Sequence, residues 1–213
     1  MTKPREAESA ADFLPERLSL TALREAAADC RGCPIYRNAT QTVFGVGAAR
    51  ARLMVVGETP GDAEDLEGRP FVGPAGKLLD EAFAEAGFER RKAYVTNVVK
   101  HFKWEPQGKR RLHKKPSAAE ERACRPWLDA EIKAVRPTVI LCLGATAAQA
   151  ILGKKFRITA QRGEALSSPQ CNQTIATYHP SAVLRAPDHE ARERMRQALF
   201  DDVRTAIELA ARD

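Results

Sequence analysis

No stretch of this 213-residue chain is long and apolar enough to span a membrane, and the opening MTKPREAESAADFLPERL lacks the apolar core of a signal peptide. A cytoplasmic location is therefore expected. Internal repeats are missing, and no break in composition marks a second domain. Two familiar nucleotide motifs fail in detail. GVGAAR precedes an apolar run and ends in Arg50; around Gly76-Lys77, Phe71 and Leu78 occupy the positions a phosphate loop gives to Gly and Ser/Thr. Cysteine is sparse and odd in number, at 5, and nothing points to export, so reduced thiols or a metal site are favoured over disulfides. A second close cysteine pair, which a zinc ribbon needs, is also absent.

What is present describes one globular unit. Hydrophobic residues make up 44% of the chain, too many for overall disorder. The net charge of +6 favours an anionic partner without naming one. After a polar tail over 1–18, expected to be loosely held, a short helix LTALREAAAD leads to Cys30. ARLMVVG, KAYVTNVV, TVILCLG and QTIATYH read as strands. Between them, GKLLDEAFAEAG has helical spacing and a stop at Gly87, and Ser117 with Glu120 forms a capping box for a helix toward Val135. Pro126 is expected to break or kink that helix. ATAAQAIL follows its strand directly, and Met195, Leu199, Val203 and Ile207 share a face of the last helix. The alternation predicts a single domain over 19–213, a three-layer α/β/α fold with a central, mostly parallel four-stranded sheet.

In such sheets ligands bind beyond the carboxyl ends of the strands. That rule picks out GETPGDAEDLEGRPFVGP, Asn97 with the basic loop after it, and His179 in YHPS. His179 reads either as a hydrogen-bond donor to an oxyanion or as a capping residue. Cys30 and Cys33 form a C-x₂-C pair, with Cys124 and Cys142 elsewhere; four such thiolates suit a cubane iron–sulfur cluster, unless the latter two are buried core thiols. The loop KHFKWEPQGKRRLHKKP carries seven Lys or Arg against one Glu, with Phe102 and Trp104 interleaved. It fits a phosphate backbone and a stacked base, or else a solvated surface. His113 within it can serve as nucleophile, general acid or donor, kept neutral by flanking cations.

Jointly, the C-x₂-C pair, GETPGDAEDLEGRPFVGPAGKLLD, VTNVVK, Cys124/Cys142 and HPSAVLR resemble the iron–sulfur, family-four uracil-DNA glycosylases, from about Cys30 to Arg185. GKRRLHKKP is similar to the basic loop of the UdgX-type subgroup, which excises uracil and stays covalently bound to the abasic sugar. The resemblance implies a uracil-DNA glycosylase-like fold and a role in base-excision DNA repair. It also implies a four-iron four-sulfur cluster on Cys30, Cys33, Cys124 and Cys142. The implied partner is uracil-containing DNA, single-stranded and in some cases double-stranded, met by a monomer.

Uracil in a duplex must leave the stack before its N1–C1′ bond can be attacked. The resemblance gives Phe71 the stacking role and Asn97 the reading of the O4/N3–H edge, with Thr59 and Pro60 completing the base contacts. His179 would stabilise charge developing on O2, and Glu58 would act at the sugar. His113 would attack the sugar cation, while Lys109, Arg110, Arg111, Ser181 and Arg185 would hold phosphates. Thr59 departs from the pattern, standing where the subgroup has Gln and ordinary enzymes Ala, and a hydroxyl cannot span the reach of Gln. The alternatives are an ordinary multiple-turnover glycosylase, in which His113 only contacts DNA, and a non-catalytic iron–sulfur DNA-binding module.

Overall fold

The structure, a computed structural model, describes residues 9–212. Four strands with long apolar stretches form the centre: β2 (Leu53–Gly57), β3 (Tyr94–Asn97), β6 (Val139–Leu143) and β7 (Gln173–Thr177). They pair in parallel in the order β3-β2-β6-β7. A fifth strand, β1 (Val46–Gly47), adds to β3 in the antiparallel sense, so the sheet has five strands rather than the predicted four. Two residues, one of them glycine, are too few to display a strand period, which is why this edge is not legible in the sequence.

Side-chain alternation divides the core. Met54, Val56, Tyr94, Ile140 and Ala176 pack on one face, with α1 (Leu20–Ala28), α4 (Ala118–Val135) and α5 (Ala145–Leu152). Leu53, Val55, Val95, Leu141 and Ile175 pack on the other, with α3 (Pro74–Glu85) and α8 (His189–Ala211). Burial on both faces explains the unbroken apolar strands. In α8, Leu199 and Val203 are buried and Met195 and Ile207 flank them, as the helical spacing predicts.

Three expectations change. The tail over residues 1–8 lies outside the described residues. From Ser9 onward the chain is docked: Ser9 caps a short turn over Ala10–Phe13, its hydroxyl also donates to the Ala123 carbonyl, and Ala10 is buried. Helix α4 runs unbroken through Pro126. Proline removes one donor, which leaves only the carbonyl of exposed Arg122 without its helical partner, while Trp127, Leu128 and Glu131 anchor the helix inside the core. The third concerns the basic loop, whose central part forms a two-stranded hairpin, β4 (Trp104–Gln107) with β5 (Arg110–His113), turned at Gly108 with φ of +59°. The remaining short helices are α2 (Asp62–Glu67), α6 (Ile158–Gln161) and α7 (Pro180–Leu184).

Candidate active site

All four parallel strands deliver residues to one end. The chain leaves β2 in one direction, to β3, and returns to the other side at β6, so the gap between β2 and β6 is the switch point where such sheets bind ligands. Glu58, just after β2, and Thr146, in the first turn of α5, bridge it: the Thr146 hydroxyl donates to Glu58 Oε2 at 2.5 Å. They share the wall of a cavity of about 750 Å³ with His113, His179, Ser181 and Arg185.

Behind Glu58 the structure gathers the residues assigned to the base. A Cβ on Gly57 would collide with Asn97 Oδ1 and lie 2.6 Å from Cζ of Phe71, so the missing side chain lets both converge there. Asn97 is buried, and its Oδ1 has no hydrogen-bond partner among the described residues. An unpaired buried acceptor is costly, which marks it as the place for a ligand donor. The Asn97 backbone is pinned from below, where fully buried Lys100 donates from Nζ to its carbonyl at 2.6 Å, to Thr96 Oγ1 at 2.7 Å and to Glu131 Oε2 at 2.5 Å. Phe71 lies 5.9 Å from the His179 ring, centroid to centroid, with the planes tilted by 30°.

His179 N-caps α7. Its Nδ1 takes the Ser181 backbone N–H at 3.1 Å and the Ser181 hydroxyl at 2.8 Å. With Nδ1 accepting, the proton sits on Nε2, the nitrogen left to donate. Burial first, then Arg185 and His113, push the His179 pKa down to about 4, so this donor is a neutral imidazole near pH 7. Ser181 thus orients His179, and it also accepts from Arg185 at 3.3 Å. Thr59 lines the cavity, but its hydroxyl is engaged, donating to the His101 carbonyl at 2.9 Å, and Pro60 beside it is buried.

The hairpin brings His113 over this cavity. His113 stacks 6.0 Å from the ring of Phe102, which is buried and so cannot receive a base as the loop composition predicts. Burial is the largest cause holding the His113 pKa below its ordinary value; Glu58 pulls it up and Arg185 pushes it down. Most of the flanking cations expected to do this are paired with acidic residues instead. Arg111 binds Asp62 at 2.5 Å and fully buried Asp65 at 2.6 Å, and its guanidinium covers Phe102 and Trp104. Lys103 pairs with Glu120, Lys114 with Glu105, and Lys100 with Glu131. Among the described residues Lys109, Arg110 and Lys115 have no ion-pair partner, so they are the cations of this loop left for phosphates. Sequence reasoning missed Thr146, Lys100, Glu131, Phe102 as a support for His113, and buried His101, whose Nε2 lies 2.9 Å from Thr42 Oγ1. Their roles depend on partners remote in sequence.

The cysteines divide. Cys30, Cys33 and Cys124 are buried near one another: Cys124 is pushed up to about 12 by burial first, and Cys33 and Cys30 add to that shift. Trp127 Nε1 lies 3.2 Å from Cys30 Sγ, and the Lys100 N–H donates to Cys124 Sγ at 3.3 Å, contacts that suit thiolate ligands. Cys142 shares their core but not their electrostatic neighbours. It lies on β6, where burial pushes its thiol up and its electrostatic neighbours are Cys171 and Arg125. Of the four expected ligands, Cys30, Cys33 and Cys124 therefore have the surroundings that suit a cluster, and Cys142 has none of these contacts. Cys171, expected to be the spare, is buried against the carbonyls of Thr138 and Gln173.

Residues 44–204 match the family model described as the uracil DNA glycosylase superfamily. The chain is 39% identical over 178 residues to the type-4 uracil-DNA glycosylase of Thermotoga maritima, covering 83% of this chain and 87% of that protein. It is 39% identical over 165 residues to the type-4 enzyme of Archaeoglobus fulgidus, covering 74% of this chain and 79% of that one. The crystal structure of wild-type Pedobacter heparinus SMUG2 aligns with a TM-score of 0.54 at 15% identity over 75% of each chain, a likeness of fold. A match across most of the chain, from Phe44 past the last strand into α8, and relatives aligned over most of their own length establish that this chain belongs to the uracil DNA glycosylase superfamily.

Proposed function

We propose that this protein excises uracil from DNA and then holds the abasic product covalently on His113. The observation that carries the excision is the orphaned Oδ1 of Asn97, buried where Gly57, Phe71 and His179 meet. Uracil offers N3–H to that oxygen and O4 to the amide NH₂; cytosine reverses both, leaving buried polar groups unpaired. As the N1–C1′ bond breaks, its electron pair stays on the base. Nε2–H of neutral His179 donates to O2, where negative charge grows. A neutral donor fits this task, because it stabilises the anion without having to surrender its proton.

The sugar is left with a cation at C1′. His113 lies on the same cavity wall as Glu58, and burial keeps its lone pair free of a proton. That pair forms a new N–C1′ bond, the imidazole N–H proton passes to the Glu58 carboxylate, and the uracil anion leaves to take its proton from solvent. Thr146 holds Glu58 on the sugar side. The cysteine site supplies structure: an iron–sulfur cluster on Cys30, Cys33 and Cys124, with its fourth position filled by a group other than Cys142, ties the segment before β1 to α4.

Incubation with a uracil-containing single strand, followed by a denaturing gel, tests both steps. A heat- and detergent-resistant shifted band is expected, and His113→Ser abolishes it. Free abasic DNA in excess of enzyme identifies an ordinary turnover glycosylase. DNA that stays alkali-stable identifies a protein that only binds.

A further inference from the structure

Phe71 is one of two non-glycine residues among those described with a left-handed backbone, at φ of +55°. The other, Arg136, caps a helix, where such a turn is routine. Phe71 lies instead in the loop between α2 and α3, and its ring reaches the candidate base site. A bulky side chain is disfavoured in this region, so something must hold it there.

Both rails of the peptide on either side of Phe71 are tied. The carbonyls of Pro70 and Phe71 accept from the two terminal nitrogens of Arg90, each at 2.8 Å. Asp80 on α3 orients that guanidinium, accepting from Nη1 at 2.9 Å. On the other rail, the N–H groups of Val72 and Gly73 donate to Glu64 Oε1 at 3.1 and 2.9 Å. The second oxygen of Glu64 accepts from Gly61 N at 3.0 Å, which joins the Phe71 turn to the loop that follows β2. Helix α3 closes the space behind: a Cβ on Gly76 would overlap the Phe71 carbonyl. Four main-chain groups in four consecutive residues are thus satisfied by two side chains from different elements.

We propose that Arg90 and Glu64 are positioning residues for base recognition, a clamp that keeps Phe71 left-handed and so fixes its ring as one wall of the uracil slot. This rests on reading Phe71 as the ring against which the base stacks. Arg90 does not line the cavity, and Glu64, which borders it, gives both carboxylate oxygens to main-chain N–H groups, so each acts through the backbone of Phe71 or the loop beside it. Their contribution belongs to capture of the flipped base more than to bond breaking, because stacking is present before the N1–C1′ bond lengthens.

A double-mutant cycle separates this role from general structure or a phosphate contact. Single-turnover excision is measured with excess enzyme on a uracil-containing single strand, counting abasic DNA and adduct together, for the parent, Phe71→Ala, Arg90→Met and the double variant. Arg90→Met is expected to raise the half-saturating enzyme concentration about tenfold, the scale of one lost stacking contact, with little change in maximal rate. Phe71→Ala does the same, and the double variant is no worse than Phe71→Ala alone. Arg90→Lys, with one head for two carbonyls, falls between. Effects that multiply in the double variant, or an Arg90→Met protein with parental constants, overturn the clamp. If Phe71→Ala itself binds normally, the stacking reading is what has failed. Should Arg90→Met not melt cooperatively, Arg90→Lys, which keeps the charge but has one head for two carbonyls, carries the same cycle.

Discussion

An imidazole attacks carbon only when it is neutral, and His113 meets that condition through burial rather than through its basic neighbours in sequence. The sign follows directly. A pKa held below 6.5 displaces protonation of the ring toward more acid pH, so the fall in the rate of adduct formation is expected to have its midpoint below 6.5. Single-turnover adduct formation from pH 8 to pH 5 reads this; a midpoint at or above 6.5 would show that the folded site does not depress the ring. Arg185→Gln removes one depressing charge and moves the midpoint up, whereas Lys109→Ala leaves it in place. Asn97 and His179 were legible because strand ends expose few side chains and these two carry polar groups there. The orphaned oxygen of Asn97 and the Nε2 tautomer of His179 were not, since each is set by Gly57, Phe71 or Ser181 in three dimensions.

The hairpin β4–β5 is held by one latch, the Arg111 guanidinium on Asp62 and Asp65, with Trp104 Nε1 donating to the Asn38 carbonyl at 2.7 Å as a second tie. Arg111→Met should release the tip of the hairpin and leave Asp65 buried without its countercharge. Loss of about 3 kcal/mol of stability is expected in denaturant melts. Adduct formation should fall about 100-fold, since a misplacement near 1 Å has effects of that order. Uracil release should persist, because Asn97, Phe71 and His179 sit on other elements. Adding Asp65→Asn should recover stability but not the adduct, and recovery of both would mean the latch does not position His113. Composition shows this loop as a field of positive charge. Only the fold shows that Lys100, Lys103 and Arg111 face acidic residues from other elements, and that Lys114 pairs with Glu105 across the hairpin itself.

Across the molecule, the excess of +6 is concentrated for DNA at far fewer positions than the raw count implies. Replacing Lys109 and Arg110 together by Ala should lower the salt dependence of single-strand binding by about 0.7 in the log–log slope for each charge removed. The same double change at Lys103 and Lys114 should alter it less, and equal effects from both pairs would count against the division. The cysteine site makes an equally global prediction. Cys142→Ser should keep the iron and visible absorbance of the purified protein, while Cys124→Ser loses both and destabilises the joint between α4 and the segment before β1. Loss of iron from Cys142→Ser would return that residue to the ligand set.

The order of strands and helices, the two-faced burial of the sheet and the end that carries the site follow from local pattern. Apolar runs, caps and strand-end polar residues are properties of neighbours in sequence. The resemblance of motifs carried the family. What the chain could not reveal by itself is who pairs with whom across long separations. Cys142 looks equivalent to Cys124 in sequence, yet its electrostatic neighbours are Cys171 and Arg125, and Pro126, expected to break or kink its helix, does not break it because the core holds both sides. Arg90, Glu64 and Thr146 had no local signal at all. Electrostatic pairing and burial act through space, so only the folded chain could decide which charges remain for DNA, which histidines stay neutral and which oxygen waits for a base.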